Sequence, residues 1–87
     1  MNQAQTSNVA SSATVVTLAA ANTARKMITI YNDSTATLYL KMGSGATSTS
    51  YTVEVEASGY YEMSGYTGIY TGLWSSASGY ARVTEVV

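Results

Sequence analysis

Five carboxylates, Asp33, Glu54, Glu56, Glu62 and Glu85, are the acid–base chemistry that this 87-residue sequence offers near neutral pH. There is no histidine and no cysteine. Imidazole catalysis, nucleophilic triads and thiolate chemistry are therefore excluded together, and the usual ligands of zinc, copper and iron are missing. Two carboxylates alone can hydrolyse a glycosidic bond. Glu54 and Glu56, two positions apart, share one strand face about 7 Å apart by strand rise, superficially the spacing of such a pair. A solvated strand face accounts for them more simply, and so short a chain has little room for the roughly 300–1,000 Å³ cleft of a small-molecule site. Calcium lacks a clustered Asp-x-Asp loop. Gly59, Gly65, Gly68, Gly72 and Gly79 suggest a phosphate cradle only by their number, because no lysine follows them and no helix begins there. Turns and a bulge explain them. The expectation is a protein that is not an enzyme and holds neither cofactor nor metal.

The aromatic residues are the unusual chemistry: eight tyrosines and one tryptophan with no phenylalanine, five of the tyrosines lying between Tyr51 and Tyr70. Tyr and Trp suit surfaces that are wet in a free subunit and covered in an assembly, where the ring supplies area and the polar tip finds a partner. Ordinary β-propensity is the plain alternative, and a platform for stacking sugars is a third. Tyr60, Tyr61, Tyr66, Tyr70 and Trp74 are the interface candidates, with Trp74 a core or interface anchor.

These residues must be positioned by one small domain. The chain is 46% hydrophobic and 10% charged, with net charge −1 and no proline. A domain of this size buries only about 60–65% of the surface its unfolded chain exposes, so without disulfides or metal its stability points to partners. The charge balance gives no positive field for a phosphate backbone, which argues against nucleic acid. No stretch approaches the roughly 20 apolar residues of a membrane span, and the N-terminus lacks a signal peptide's charged start and apolar run. The expectation is a soluble chain made in the cytoplasm.

Residues 1–12 are Asn, Gln, Ser, Thr and Ala around an isolated Val9, too little apolar area to offset backbone ordering, and read as a flexible N-terminal arm. Residues 13–87 read as a single all-β domain, a small β-sandwich or barrel-like fold of about seven short antiparallel strands. Runs rich in Val, Ile, Thr and Tyr, separated by Gly, Ser, Asn and Asp, place the strands near 14–18, 25–32, 37–42, 51–56, 60–63, 69–74 and 81–86. Ile28 and Ile30 oppose Met27, Thr29 and Tyr31; Leu38, Leu40 and Met42 oppose Thr37, Tyr39 and Lys41. Tyr51, Val53 and Val55 form the inward set of the fourth strand, with Thr52, Glu54 and Glu56 outward. Residues 32–35, 58–59 and 76–79 read as hairpin turns. The alanine-rich 18–26 segment is the one helix candidate and reads instead as a connecting loop, since nine residues flanked by β-branched runs cannot sustain a helix alone. The 43–50 segment, Gly-Ser-Gly-Ala-Thr-Ser-Thr-Ser, reads as a flexible surface loop.

In order along the chain, Ile28-Thr29-Ile30-Tyr31-Asn32-Asp33-Ser34, Leu38-Tyr39-Leu40-Lys41-Met42-Gly43, Gly59-Tyr60-Tyr61-Glu62-Met63, Tyr66-Thr67-Gly68, Gly72-Leu73-Trp74 and Ala81-Arg82-Val83-Thr84-Glu85 resemble a family of small β-rich virion proteins of tailed bacteriophages. The resemblance spans about residues 15–85 and lies in the order of the pieces more than in any one. It implies a structural role as a head decoration (cement) protein, or as a tail, neck or head-fibre accessory protein. The implied location is the capsid surface of the virion after synthesis in the bacterial host. The implied partners are copies of the chain itself, as a homotrimer, and the major capsid protein or other virion proteins. It carries over no catalytic residues. Where such members have a proline near Ser64 or before Gly59, this chain has none. A carbohydrate-binding module for cell-surface recognition is the rival from another class.

Overall fold

The computed structural model describes residues 3–87, and among them the chain forms eight β-strands and no helix. They are β1 (Ala4–Ala10), β2 (Val16–Ala19), β3 (Met27–Ser34), β4 (Leu38–Met42), β5 (Val53–Val55), β6 (Tyr60–Ser64), β7 (Tyr70–Trp74) and β8 (Gly79–Val86). Two four-stranded sheets result: sheet I in the order β1-β8-β3-β6 and sheet II in the order β2-β7-β4-β5, with every neighbouring pair of strands antiparallel. First pairs with last, second with seventh, third with sixth and fourth with fifth. The chain is thus one long nested hairpin, wrapped so that β8 also meets β3 and β7 also meets β4. An eight-stranded sandwich of this connectivity is a jelly roll, which bears out the all-β sandwich reading with one strand more than expected.

Alternation builds the core. Ile28, Ile30 and Asn32 of β3 and Ala81 and Val83 of β8 point inward from sheet I; Leu38 and Leu40 of β4, Val55 of β5 and Tyr70 and Trp74 of β7 meet them from sheet II, all buried. Gly72 of β7 lies between Leu18 and Leu38, where a Cβ would come within 2.9 Å of Leu18 Cδ1 and 3.0 Å of Leu38 Cδ1. Its missing side chain lets the two leucines close the core.

Four expectations are corrected. Residues 4–10 of the expected arm form β1, with seven residues in continuous register against β8; Met1 and Asn2 lie outside the described residues. The strand is held mainly by backbone pairing: apart from Val9, half-buried against the core, its side chains are exposed. Residues 32–35, 58–59 and 76–79 do not close hairpins. They carry the chain from β3 to β4, β5 to β6 and β7 to β8, each time from one sheet to the other. The 43–50 loop is pinned across the outer face of sheet II: Thr71 Oγ1 donates to the Gly43 carbonyl (2.6 Å) and accepts from the Ala46 N–H (3.2 Å), and Ala46 is buried. Tyr51 is exposed and packs at a tilt against the outward Tyr39 (centroids 5.2 Å apart), so it does not join the inward set of Val53 and Val55.

Two polar clamps close the sandwich near opposite ends of β3. At its start, the Arg25 guanidinium is fully buried, and all its donors are engaged: Nε and Nη2 with Glu85 Oε1 (2.9 and 2.6 Å), Nη1 with the Gly68 and Tyr66 carbonyls (2.9 and 3.3 Å), and Nη2 with the Ala20 carbonyl (2.7 Å). At its far end, Asn32 Nδ2 donates to the carbonyls of Ala36 (2.8 Å), Val55 (2.9 Å) and Glu56 (3.1 Å), while Oδ1 accepts from Trp74 Nε1 (2.9 Å) and Ser34 Oγ (2.7 Å). These satisfied polar groups tie sheet to sheet where a small apolar core runs out.

Candidate functional site

Antiparallel register sets which side chains share a face, and on sheet I the rows can be read directly. Asn8, Arg82, Tyr31 and Tyr60 lie opposite one another across β1, β8, β3 and β6; the adjoining row on the same face holds Ala10, Tyr80 and Asp33. Their neighbours in sequence, Ile30, Asn32, Ala81 and Val83, are buried, so this face is the outer one. Tyr31, Tyr60 and Tyr80 are 40%, 66% and 44% exposed. Tyr31 and Tyr60 are direct cross-strand partners, which places their Cβ atoms about 5 Å apart. Three tyrosines therefore form one aromatic platform at one end of the outer face.

Arg82 sits within it, immobilised on two sides. Its Nε and Nη2 lie 3.0 and 2.9 Å from Asp33 Oδ2, and its guanidinium carbon is 4.7 Å from the Tyr80 ring centroid. The platform thus offers flat π-surface, phenolic hydroxyls and a fixed, partly neutralised cation, the mixture that favours binding at low entropic cost. Asp33 also borders a hydroxyl-rich groove of about 340 Å³, lined by Ser34, Thr35, Ser58, Ser78 and Gly79 as well. Thr35 Oγ1 and Ser78 Oγ meet across it at 2.9 Å. A second groove of about 340 Å³ lies between the two sheets, with Ser7 of β1, Leu18 of β2, Asn22 and Val83 and Glu85 of β8 among its lining residues.

The five aromatic residues expected at an interface separate sharply. Tyr60 is the most exposed aromatic residue of those on the platform. Tyr70 and Trp74 are wholly buried in the chain's own core, because they fall on the inward side of the central strand β7, and they are corrected from interface to core. Tyr61 and Tyr66 are partly buried against the same core, their rings edge-on to Tyr70 with centroids 6.0 and 5.2 Å away. Burial, and then the neighbouring Tyr61 phenol, pushes the Tyr70 hydroxyl well above the ordinary range of tyrosine, and neither hydroxyl has a hydrogen-bond partner.

Tyr31 and Tyr80 were missed as candidates, although the signal was present. Once Ile28 and Ile30 are inward, Tyr31 must face out, and the inward Ala81 and Val83 send Tyr80 and Arg82 to the same side. The carboxylate pair of the fourth strand finds no cleft: Glu54 and Glu56 are exposed, neither lines either groove, and Glu54 Oε2 accepts from the Tyr51 hydroxyl at 2.8 Å. That carboxylate raises the Tyr51 phenol above its usual range, first through the hydrogen bond and then through its charge. Among the described residues no cluster of acidic side chains could hold a metal ion, and no helix is long and apolar enough to cross a membrane.

Comparison with protein-family models, with curated proteins and with solved structures gives no match.

Proposed function

We propose that this chain is a non-enzymatic structural virion protein, a capsid decoration (cement) protein that stabilises the head shell of a tailed bacteriophage. The outer face of sheet I is its docking face. The observation that carries the reading is the platform of Tyr31, Tyr60 and Tyr80 around the immobilised Arg82. Rigid aromatic anchors on a flat sheet are the residues from which protein interfaces draw most of their energy, and a surface with few Lys and Glu loses little side-chain entropy when covered. The jelly roll recurs in viral capsid domains and in lectins, so the fold by itself favours neither role over the other.

The test is binding to purified shells of the phage that encodes the chain. Tyr60→Ala alters a largely exposed side chain, so the fold is expected to survive while shell affinity falls by about 2 kcal/mol or more. Undiminished binding by Tyr60→Ala and by the Tyr31→Ala/Tyr80→Ala pair, or absence of the protein from the virion, overturns the proposal.

A second reading, carbohydrate recognition at a cell surface, is favoured by one observation: the hydroxyl-lined groove shares Asp33 with the aromatic platform, so stacking and hydrogen-bonding groups adjoin. A glycan array separates the readings. Glycan binding abolished by Tyr80→Ala, with no shell binding, selects the second.

A further inference from the structure

This sandwich has four sheet edges, β1 and β6 in sheet I and β2 and β5 in sheet II. An open edge presents unpaired N–H and C=O groups to any passing strand, and proteins blunt it with charge, proline, a bulge or shortness. Three of these edges are blunted. β5 is three residues long with Glu54 at its centre, β2 is four residues with a register shift between Thr17 and Ala19, and β6 carries Glu62 at its centre. β1 is different. Its seven residues, AQTSNVA, hold uninterrupted register with no charge, no proline and no bulge.

The direction of its free groups follows from the ladder. Gln3 and Val87 exchange both backbone hydrogen bonds (3.0 and 2.8 Å), and the Ser11 N–H donates to the Gly79 carbonyl at 3.0 Å. Odd-numbered residues therefore bond to β8, and by the alternation of an antiparallel pair the N–H and C=O groups of Ala4, Thr6, Asn8 and Ala10 point away from the sheet.

We infer that β1 pairs antiparallel with β1 of a second copy about a twofold axis at Ser7, fusing two four-stranded sheets into one. Ala4 then lies opposite Ala10 of the second copy, Thr6 opposite Asn8 and Ser7 opposite Ser7. This twofold register alone gives every outward group of β1 a partner. The strand is its own complement, as an isologous contact requires, and an uncharged strand meets its copy without like-charge repulsion. A twofold perpendicular to the sheet keeps both outer faces on one side, so the pair presents two tyrosine platforms to one surface. The inference stands independently of what those platforms bind.

The test uses the full chain in solution. Wild type is expected to be a dimer by light scattering and native mass spectrometry across the micromolar range. Asn8→Pro removes an N–H that points outward and leaves the β8 ladder intact, since edge strands accept proline at such positions. Dimerisation should weaken roughly tenfold or more while the thermal midpoint of the monomer barely moves. The sequence has no cysteine, so Ser7→Cys introduces the sole thiol. A non-hydrogen-bonded cross-strand pair brings Cα atoms to about 4.5 Å, within disulfide reach, and mild oxidation should link two copies through Cys at 7 but not through Gln5→Cys. A monomer or trimer in the wild type, dimerisation indifferent to Asn8→Pro, or linkage through position 5 in preference to 7 overturns the inference.

Discussion

Replacing Asn32 by leucine keeps the branched outline of the side chain, with bulkier methyl ends, and removes every polar atom of the clamp at the far end of β3. Three of its hydrogen bonds join wholly buried partners: those to the Ala36 and Val55 carbonyls and that from Trp74 Nε1. Each buried group left without a partner costs about 1–3 kcal/mol, and with some relaxation the loss should total about 3–6 kcal/mol. A chain of this size has about 4–13 kcal/mol in all, so Asn32→Leu should lose a large part of its urea resistance or fail to fold. Urea unfolding followed by circular dichroism measures the loss, and the single tryptophan, buried in the wild type, gives an independent fluorescence signal. A second variant tests one bond of the clamp by itself. Trp74→Phe removes the N–H that Asn32 satisfies, so combining the two should cost less than the separate losses together by about 1 kcal/mol or more. A loss below about 1 kcal/mol for Asn32→Leu, or strict additivity in the pair, refutes the claim that this amide locks the sheets.

Arg25→Met should cost about 3–5 kcal/mol by leaving Glu85 and three carbonyls without their partner, and adding Glu85→Leu should restore part of it; thermal melts of the single and double variants check both. Tyr70→Phe deletes a buried hydroxyl with no hydrogen bond, so stability at neutral pH should hold or rise by up to about 1 kcal/mol. Because burial raises the Tyr70 phenol above its ordinary value of 10.0 in the folded state, the unfolded chain loses this proton first and stability falls as pH rises past 10; the alkaline loss of stability should be shallower in Tyr70→Phe, as denaturation from pH 8 to pH 11 would show. Gly79 has φ +87°, and a Cβ there would collide with the Asp33 carbonyl, so Gly79→Ala should cost more than about 1 kcal/mol, read as a lower melting temperature.

Much of the fold was legible where one face of a strand is buried. The Ile28/Ile30 and Leu38/Leu40 alternation located β3 and β4 and their inward faces, because burial leaves a period-two trace in composition. Backbone pairing leaves no such trace. β1 has polar side chains on both faces and is a strand only because β8 needs a neighbour, so its sequence reads as an arm. Turn chemistry was equally ambiguous. Ser58 (φ 63°) and Gly79 do reverse the chain in the left-handed region, but the same residues serve a hairpin and a passage between layers, and only the pairing of distant strands distinguishes them. The platform was half legible. Tyr60 stands out by tyrosine density; alternation also turns Tyr31 and Tyr80 outward, but that the three share one platform required knowing that β8 lies beside β3. Tyr70 and Trp74 belong to that same dense stretch and fill the core because β7 is a central strand.

Nested pairing also dictates an order of events as the chain is made. The innermost pair, β4 with β5, joins residues close in sequence, whereas β1 meets β8 across nearly the whole chain, as in Ala4 opposite Val86. Closing the larger loop is entropically harder until the inner strands have drawn its ends together. Of these eight strands the first to be made is therefore the last to find its place, and it must wait, uncharged and unpaired, until β8 has been made. During that interval β8 itself lacks its outer neighbour, and a β1 from another nascent copy fits it as well as its own. Synthesis on crowded polysomes would then favour exchanged strands, and dilution during refolding would favour the self-contained molecule.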